Sequence, residues 1–334
     1  MDSSRADGLL ERPVVETVAA LVDRYLSQAE RAVRHVGRPG KPEALHDFRV
    51  ALRRCRGVLR AYRPWLGRAA GKRVRSALRR LMRRTNKGRD AEVQIAWLVG
   101  VRAALRRSER AGLNHLLERL RRRRHAGHAA AAAAVRSRFE RLDAELRARL
   151  EQAVPAPLTF GRAFGERLQE YAADTGARLA AAAKAASDDE LHDARLVVKR
   201  LRYLVEPAVG GLTGGAAEAA ELKRLQDVLG ELNDARVLAA AVDRELTRVS
   251  AAQTARLRRL ALSGTEEELA RARRRDERLG LLRIMRLLEG RRQELLAVLR
   301  RDHLAAARDT CAALGREGEA LAGGSVEPAP ADHR

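Results

Sequence analysis

Apolar residues recur along nearly the whole chain at the spacing of a helix, and no stretch alternates as a β-strand does. Alanine, leucine, arginine and glutamate dominate the sequence, and all four favour helices. Two segments show the pattern most clearly, because each carries one apolar stripe. The stripes are Leu45, Phe48, Leu52 and Leu59 in the first segment and Leu191, Ala194, Val198 and Val205 in the second. The pattern predicts an all-α protein.

Proline and glycine positions predict where these helices begin and end. In the first half we expect helices over residues 13–36, 42–62, 70–107 and 109–152, the third with a bend at Gly88. In the second half we expect a helix over residues 161–186, another that starts after Ser187, a glycine-rich loop at 210–215 and further helices up to about residue 321. Ser187 and Glu190 have the spacing of a capping box, which supports a helix start there.

Two motifs occur twice in the same order, which predicts an internal duplication. The segment LHDFRV at residues 45–50 returns as LHDARL at 191–196, and LMRRTNKGRDAEV at 81–93 corresponds to LQDVLGELNDARV at 225–237. Two prolines, Pro155 and Pro157, mark a linker between the copies. We therefore predict an N-terminal tail (1–12), a first repeat (13–153), a linker (154–160), a second repeat (161–322) and a disordered C-terminal tail (323–334).

Each copy of the first motif carries a histidine followed by cations three, seven and ten residues later. At about 100° per residue, these four positions fall within an arc of about 80° on a helix. No acid lies between Arg49 and Trp65, whereas a solvated helix face normally mixes charges of both signs. We expect the two basic stripes to face each other and to hold a chain of anions. Their members are His46, Arg49, Arg53 and Arg56 in the first copy and His192, Arg195, Lys199 and Arg202 in the second.

The composition of the chain also points to an anionic partner. The 334 residues carry a net charge of +23, and only six of the 67 basic residues are lysines. Arginine matches phosphate geometry better than lysine does, although a GC-rich genome would also produce this ratio. Residues 72–89 hold nine cations and no acid, with Arg79 and Arg83 on one helical face, and Lys223 is the counterpart of Arg79 in the second copy. The basic runs at 119–124 and 271–275 are less specific.

The sequence lacks the common motifs of catalysis and metal binding. It contains no Walker-type phosphate loop, no His-Glu-x-x-His and no Gly-x-Ser-x-Gly. Glu43 and His46 have the Glu-x-x-His spacing of a di-iron helix, but the second copy has Asp189 in place of the glutamate. Cys55 and Cys311 show no metal-ligand spacing. We therefore expect no metal, no cofactor and no enzymatic activity.

The polarity of the chain argues against a membrane location. The longest run of low polarity, residues 126–135, is far shorter than a bilayer span requires and contains His128. The N-terminus shows no basic stretch followed by an apolar core, as a secretory signal would. We expect a cytoplasmic protein that does not bind membranes.

The motifs together resemble those of the CHAD family, the "conserved histidine α-helical domain". The matching residues are His46-Asp47-x-Arg49 with Arg53 and Arg54, then Gly88-Arg89-Asp90, and in the second half His192-Asp193-x-Arg195, Lys199-Arg200-Leu201-Arg202-Tyr203 and Gln226-Asp227-x-Leu229-Gly230-x-x-Asn233-Asp234. The resemblance covers roughly residues 13–320. The first half departs from the second in having Thr85-Asn86 where the second has Leu229-Gly230.

The resemblance implies two four-helix bundles related by pseudo-twofold symmetry, with a basic channel between them that binds inorganic polyphosphate. It also implies an association with polyphosphate or polyester storage granules, as in some bacteria. Some members are fused to a triphosphate-hydrolysing barrel with a Glu-x-Glu-x-Lys pattern, which does not occur here. The resemblance is therefore to a stand-alone binding module.

Our leading hypothesis is non-enzymatic polyphosphate binding, with nucleic-acid (RNA) binding as the alternative and an enzyme acting on polyphosphate as a third reading. Single-strand binders usually stack bases on aromatic side chains, and this chain has only four Phe, four Tyr and two Trp. The expected polyphosphate-binding residues are His46, Arg49, Arg53, Arg56, Arg79, Arg83, His192, Arg195, Lys199, Arg202 and Lys223.

Overall fold

The computed structural model describes residues 8–323, apart from residues 39, 42, 186 and 275 and the side chains of residues 86–89, 127–134, 185, 273 and 274. Most of the predicted N-terminal tail and nearly all of the predicted C-terminal tail lie outside the described residues. The described part of the chain contains no strand, only one isolated bridge between Pro13 and Thr159. The prediction of an all-α protein is confirmed.

Eleven α-helices are found in the described residues. They are α1 (Val14–Val33), α2 (Ala44–Ala61), α3 (Arg63–Leu66), α4 (Lys72–Gly100), α5 (Arg110–Glu151), α6 (Phe160–Ala185), α7 (Asp188–Val205), α8 (Gly215–Ser263), α9 (Glu266–Arg274), α10 (Glu277–Val298) and α11 (Leu304–Gly323). Short 3₁₀ turns join several of them, at Gly67–Ala70, Val101–Ala104, Arg107–Glu109 and Glu206–Gly211. A single π-turn at Leu299–His303 joins α10 to α11.

The helix boundaries agree with the sequence prediction at most positions and differ at two. Ser187 caps α7 as predicted, because its Oγ accepts from Glu190 N at 3.2 Å while Glu190 Oε2 accepts from Ser187 N at 3.2 Å. The third helix is shorter than predicted: α4 ends at Gly100, where two 3₁₀ turns follow. It runs through residue 88 without interruption.

The predicted linker is fixed to the start of the chain by backbone hydrogen bonds. Val14 N donates to Leu158 O at 3.0 Å, and Phe160 N donates to Arg12 O at 2.7 Å. Gly161 N donates to Leu10 O at 2.7 Å. These bonds hold the entry into α1 beside the entry into α6.

The described residues form two hydrophobic cores, and each draws residues from both halves of the chain. In the larger core the rings of Tyr62 and Phe160, one from each half, lie 5.2 Å apart. The smaller core joins the far ends of the long helices α4, α5, α8 and α10, with Leu98, Leu117 and Ile284 among its members. The two halves therefore share their cores. The predicted duplication and its domain boundaries stay predictions.

Helices α5 and α10 cross closely enough to require glycine. A side-chain carbon built on Gly112 would lie 2.2 Å from Glu277 O, and one on Gly280 would lie 2.0 Å from Glu109 O. Since no other residue fits such a backbone approach, these two glycines fix where the two helices cross.

Candidate functional site

The two helices that carry the His-Asp motifs pack against each other. Helix α2 contacts α7, with α1 and α4 also against α2 and with α6 and α8 against α7. A side-chain carbon built on Gly57 of α2 would lie 3.6 Å from Tyr203 Cβ of α7, so the helices are close at this point. Both predicted apolar stripes are buried, among them Phe48 and Val198 at 0% exposure. This burial turns the basic stripes away from the core.

A cavity of about 370 Å³ lies between α2 and α7, and we call it the inner cavity. Among the described residues, seven basic side chains line it, and none of the described lining residues carries a carboxylate. These residues are Arg49, Arg53, Arg56 and Arg60 from α2, Arg195, Lys199 and Arg200 from α7, and Gly57, Met82, Tyr171, Leu196 and Tyr203. Five of the eleven predicted site residues therefore surround one space, with both stripes represented.

A second cavity, of about 590 Å³, adjoins the first, and we call it the outer cavity. It shares Arg56, Arg60, Tyr171 and Arg200 with the inner cavity, so the two form one basic tract. Its other lining residues are Arg63, Pro64, Arg75, Arg79, Arg167, Glu170 and Asp174. The outer cavity thus contains two acids, and the inner cavity is the more strongly positive of the two.

Burial and mutual repulsion act on the cations of this tract. Burial, and after it the charges of Arg60 and Arg79, lowers the pKa of Arg56. Burial also lowers the pKa of Arg195, although Asp234 opposes this effect. Lys199 responds most strongly: burial, followed by the charges of Arg53 and Arg195, lowers its pKa to about 6. The tract therefore holds more positive charge than its own acids compensate.

Two arginines of the inner cavity donate hydrogen bonds to groups on neighbouring helices. Arg49 is 7% exposed, and its Nη1 donates to Thr85 Oγ1 at 2.9 Å and to Met82 O at 3.4 Å, both on α4. Arg53 Nη1 donates to Tyr203 Oη on α7 at 3.4 Å. These hydrogen bonds orient both guanidinium groups at the cavity. The charges of Arg49 and Asp90 also act on each other.

The two histidines lie outside the lining of both cavities. His192 is half-buried near the start of α7, with its Nδ1 3.3 Å from Asn233 Oδ1 on α8. His46 occupies the matching turn of α2 and is also half-buried. The structure therefore places the histidines at the heads of the stripes, as predicted, but not on the cavity walls.

Arg202 and Lys223 are paired with acids and line neither cavity. Arg202 Nη1 lies 3.0 Å from Glu206 Oε1, and its Nε donates to Gln226 Oε1 at 3.0 Å. Lys223 Nζ lies 2.8 Å from Asp227 Oδ2 on the exposed side of α8. Of the remaining predicted residues, Arg79 lines the outer cavity, whereas Arg83 is exposed and lines neither, although its charge acts on Arg56.

Several cavity residues were not predicted from the sequence. Arg60 stands fourteen residues after His46 and continues the basic stripe by one more turn, so the spacing could have found it. Tyr171 and Arg167 come from α6, which carries no motif, and only the packing of α6 on α7 brings them to the site. No described residue of the basic run at 119–124 lines either cavity, although the charge of Arg123 acts on Asp90 of α4.

The described residues show neither a membrane span nor a grouped metal site. No described helix is long and apolar enough to cross a bilayer. Within the described ranges, no three His, Cys, Asp or Glu side chains lie together as metal ligands would.

An all-α fold with a cationic tract between two motif-bearing helices defines the class of this protein. The family model of the CHAD domain matches residues 17–243, more than half of the chain, and the chain therefore belongs to the CHAD family. This family is known for its association with polyphosphate.

Two solved structures share the fold. The CHAD domain from the plant Ricinus communis is 22% identical, with a TM-score of 0.64 over 91% of this chain and 93% of that chain. PptA from Streptomyces chartreusis is 16% identical, with a TM-score of 0.61 over 85% of this chain and 99% of that chain. No curated protein matches the sequence.

Proposed function

We propose that this protein binds inorganic polyphosphate in the inner and outer cavities and does not catalyse a reaction on it. The observation that carries the proposal is the lining of the inner cavity, where seven basic side chains meet and no described lining residue carries a carboxylate. Such a surface is costly when empty and is stabilised by a ligand that brings many negative charges into a small volume. A linear polyphosphate does so, since every phosphate carries charge.

The shape of the site also suits a chain of anions. The inner cavity continues into the outer one through Arg56, Arg60 and Arg200. A single small anion would occupy part of this tract, whereas a phosphate chain would contact cations along its length. Arginine is well suited to this role, because its planar fork of donors bonds two phosphate oxygens at once.

The proposal predicts a salt-dependent affinity to which Arg56 contributes. Wild-type protein should bind long-chain polyphosphate with an affinity that falls steeply as salt rises, because bound counterions are released. Arg56→Gln should weaken binding about tenfold, as one charge-assisted contact is worth about 1.5 kcal/mol, and should lower the salt slope by about one. Titration calorimetry at four salt concentrations measures both quantities.

The matched control is Arg316→Gln, which removes an exposed arginine of α11 that lines neither cavity. It should leave the affinity within twofold of wild type. Equal losses in Arg56→Gln and Arg316→Gln would show that net charge, and not this tract, attracts the ligand. Displacement of bound polyphosphate by single-stranded RNA at equal phosphate concentration would favour the nucleic-acid alternative.

The absence of catalysis and the role in cells need separate tests. Incubation with polyphosphate and a divalent metal should release no phosphate above the blank, and turnover that Lys199→Ala abolishes would overturn the non-enzymatic part of the proposal. We also propose that polyphosphate storage granules recruit the protein. A fluorescent fusion should form foci only in cells that contain polyphosphate, and Arg56→Gln should reduce them.

A further inference from the structure

Lys199 occupies an unusual place among the cations of the inner cavity. It stands seven residues after His192, where the first copy of the motif has Arg53, and it is one of only six lysines in the chain. An arginine keeps its proton at any ordinary pH, whereas a lysine can lose it when it is buried or repelled. The one group of the inner cavity that can shed its positive charge near neutral pH is therefore Lys199.

The charged groups around Lys199 are almost all positive. Arg49 and Arg53 of α2 and Arg195 and Arg202 of α7 act on it, and Arg56, Arg60 and Arg200 line the same cavity. Tyr171 of α6 and Tyr203 contribute neutral hydroxyls to this lining. No carboxylate of the described residues is paired with the Lys199 ammonium.

Acids on α4 and α8 and at the end of α7 interact with arginines. Glu206 pairs with Arg202 and Arg54, at 3.0 Å in each case. Asp234 of α8 interacts electrostatically with Arg195. Asp90 of α4 interacts in the same way with Arg49, Arg123 and Arg195. In the cavity without ligand, a charged and half-buried Lys199 would therefore share the cavity lining with several permanently charged arginines. The pKa of about 6 agrees with this geometry.

We propose that Lys199 is a neutral amine in the ligand-free cavity and takes up one proton from solvent when polyphosphate binds. This proton uptake makes Lys199 a specificity-determining residue for ligands of high charge density. This inference rests on the proposed function. No covalent bond changes: the amine gains a proton, and the ammonium then bonds phosphate oxygens. A chain of phosphates supplies enough negative charge to stabilise the ammonium, whereas a monovalent anion offsets little of the surrounding repulsion.

The proposal predicts how the affinity for polyphosphate changes with pH. Binding takes up a proton wherever free Lys199 is neutral and bound Lys199 is charged, which is the range above a pH of about 6 and below the ordinary lysine pKa of about 10.4. Within this range the affinity should fall as pH rises, by at most about tenfold per pH unit from this one proton. Below a pH of about 6 the effect should vanish, because the free amine is already charged.

Calorimetry in buffers of different ionisation enthalpy measures the protons taken up. At pH 7.5 the wild type should take up about one proton more than Lys199→Arg when each binds long-chain polyphosphate. The arginine variant keeps a permanent charge. Protons exchanged by histidines or by the terminal phosphates of the ligand therefore contribute equally to both measurements and cancel in the difference. Equal proton uptake in the two proteins would overturn the proposal. The affinity of Lys199→Arg should also depend less steeply on pH.

A second measurement needs no ligand and separates this inference from the proposed function. The lysine side chains of the free protein can be titrated by NMR, and the signal of Lys199 is the one missing in Lys199→Arg. A midpoint near pH 6 supports the neutral amine, and one near 10 overturns it. If Lys199 titrates near 6 but polyphosphate does not bind, the proposed function fails while the perturbed lysine stands.

Discussion

Glu206 should hold the two basic helices together, and its replacement by glutamine tests this role. The carboxylate lies at the end of α7, where Oε2 is 3.0 Å from Arg54 Nε of α2 and Oε1 is 3.0 Å from Arg202 Nη1 of α7. It therefore connects α2 to α7 beside a cavity whose cations repel each other. Glu206→Gln keeps the size of the side chain and removes the charge.

The magnitude follows from the exposure of the three side chains, which is 20% for Glu206, 32% for Arg54 and 15% for Arg202. Exposed ion pairs contribute about 0.2–1 kcal/mol, and removal of one partner from a buried pair costs about 3–5 kcal/mol. These pairs lie between the two limits, and glutamine can still accept one hydrogen bond. We expect a loss of about 2 kcal/mol in the free energy of unfolding, or about 3 °C in melting temperature for a chain of this size.

Thermal unfolding of Glu206→Gln should be compared with that of Glu30→Gln. Glu30 pairs with Arg34 four residues later on the exposed side of the protein, and its loss should cost less than about 0.5 kcal/mol. A double-mutant cycle with Arg54→Gln should then give a coupling of about 1 kcal/mol. If Glu206→Gln and Glu30→Gln melt within 1 °C of each other, or the coupling is zero, the carboxylate does not hold the helices together.

Two further predictions concern packing and thiol chemistry. Gly112→Ala should destabilise the protein by about 2–3 kcal/mol, because the added carbon would lie 2.2 Å from Glu277 O. In Gly230→Ala the added carbon meets nothing within 4 Å, so this variant should stabilise α8 by up to about 1 kcal/mol. Denaturant unfolding of both variants checks this, and a Gly112→Ala protein as stable as wild type would contradict it. Burial raises the pKa of Cys55 to about 12 and that of Cys311 to about 11. Both thiols should therefore stay protonated and unreactive toward a thiol reagent at pH 8 in the folded protein. When the protein unfolds, two thiols per chain should react. Reaction of either thiol in the native protein would show that the site opens.

Local sequence patterns predicted the helices and the two faces of α2 and α7, because periodicity decides which side of a helix is buried. They also placed five cations around the inner cavity. The cation spacing gave no sign that Arg202 and Lys223 pair with the acids four residues later, Glu206 and Asp227. Those acids were readable in the sequence.

Other parts of the site depend on contacts between distant segments. Tyr171 and Arg167 lie on α6 and enter the site through packing that no local pattern records. Arg123 comes near Asp90 only because α5 returns along α4. The strength of the perturbation at Lys199 likewise depends on how α2 lies against α7, which the spacing of charges within one helix does not determine.

The shared larger core has a consequence for how the protein is made. Tyr62 packs on Phe160, so an emerging chain has no completed interior until the ribosome has passed the middle of the message. The cationic walls are brought together by that same interior. An interrupted synthesis would therefore leave an arginine-rich fragment whose interior is incomplete and whose cationic helices α2 and α7 are not packed together.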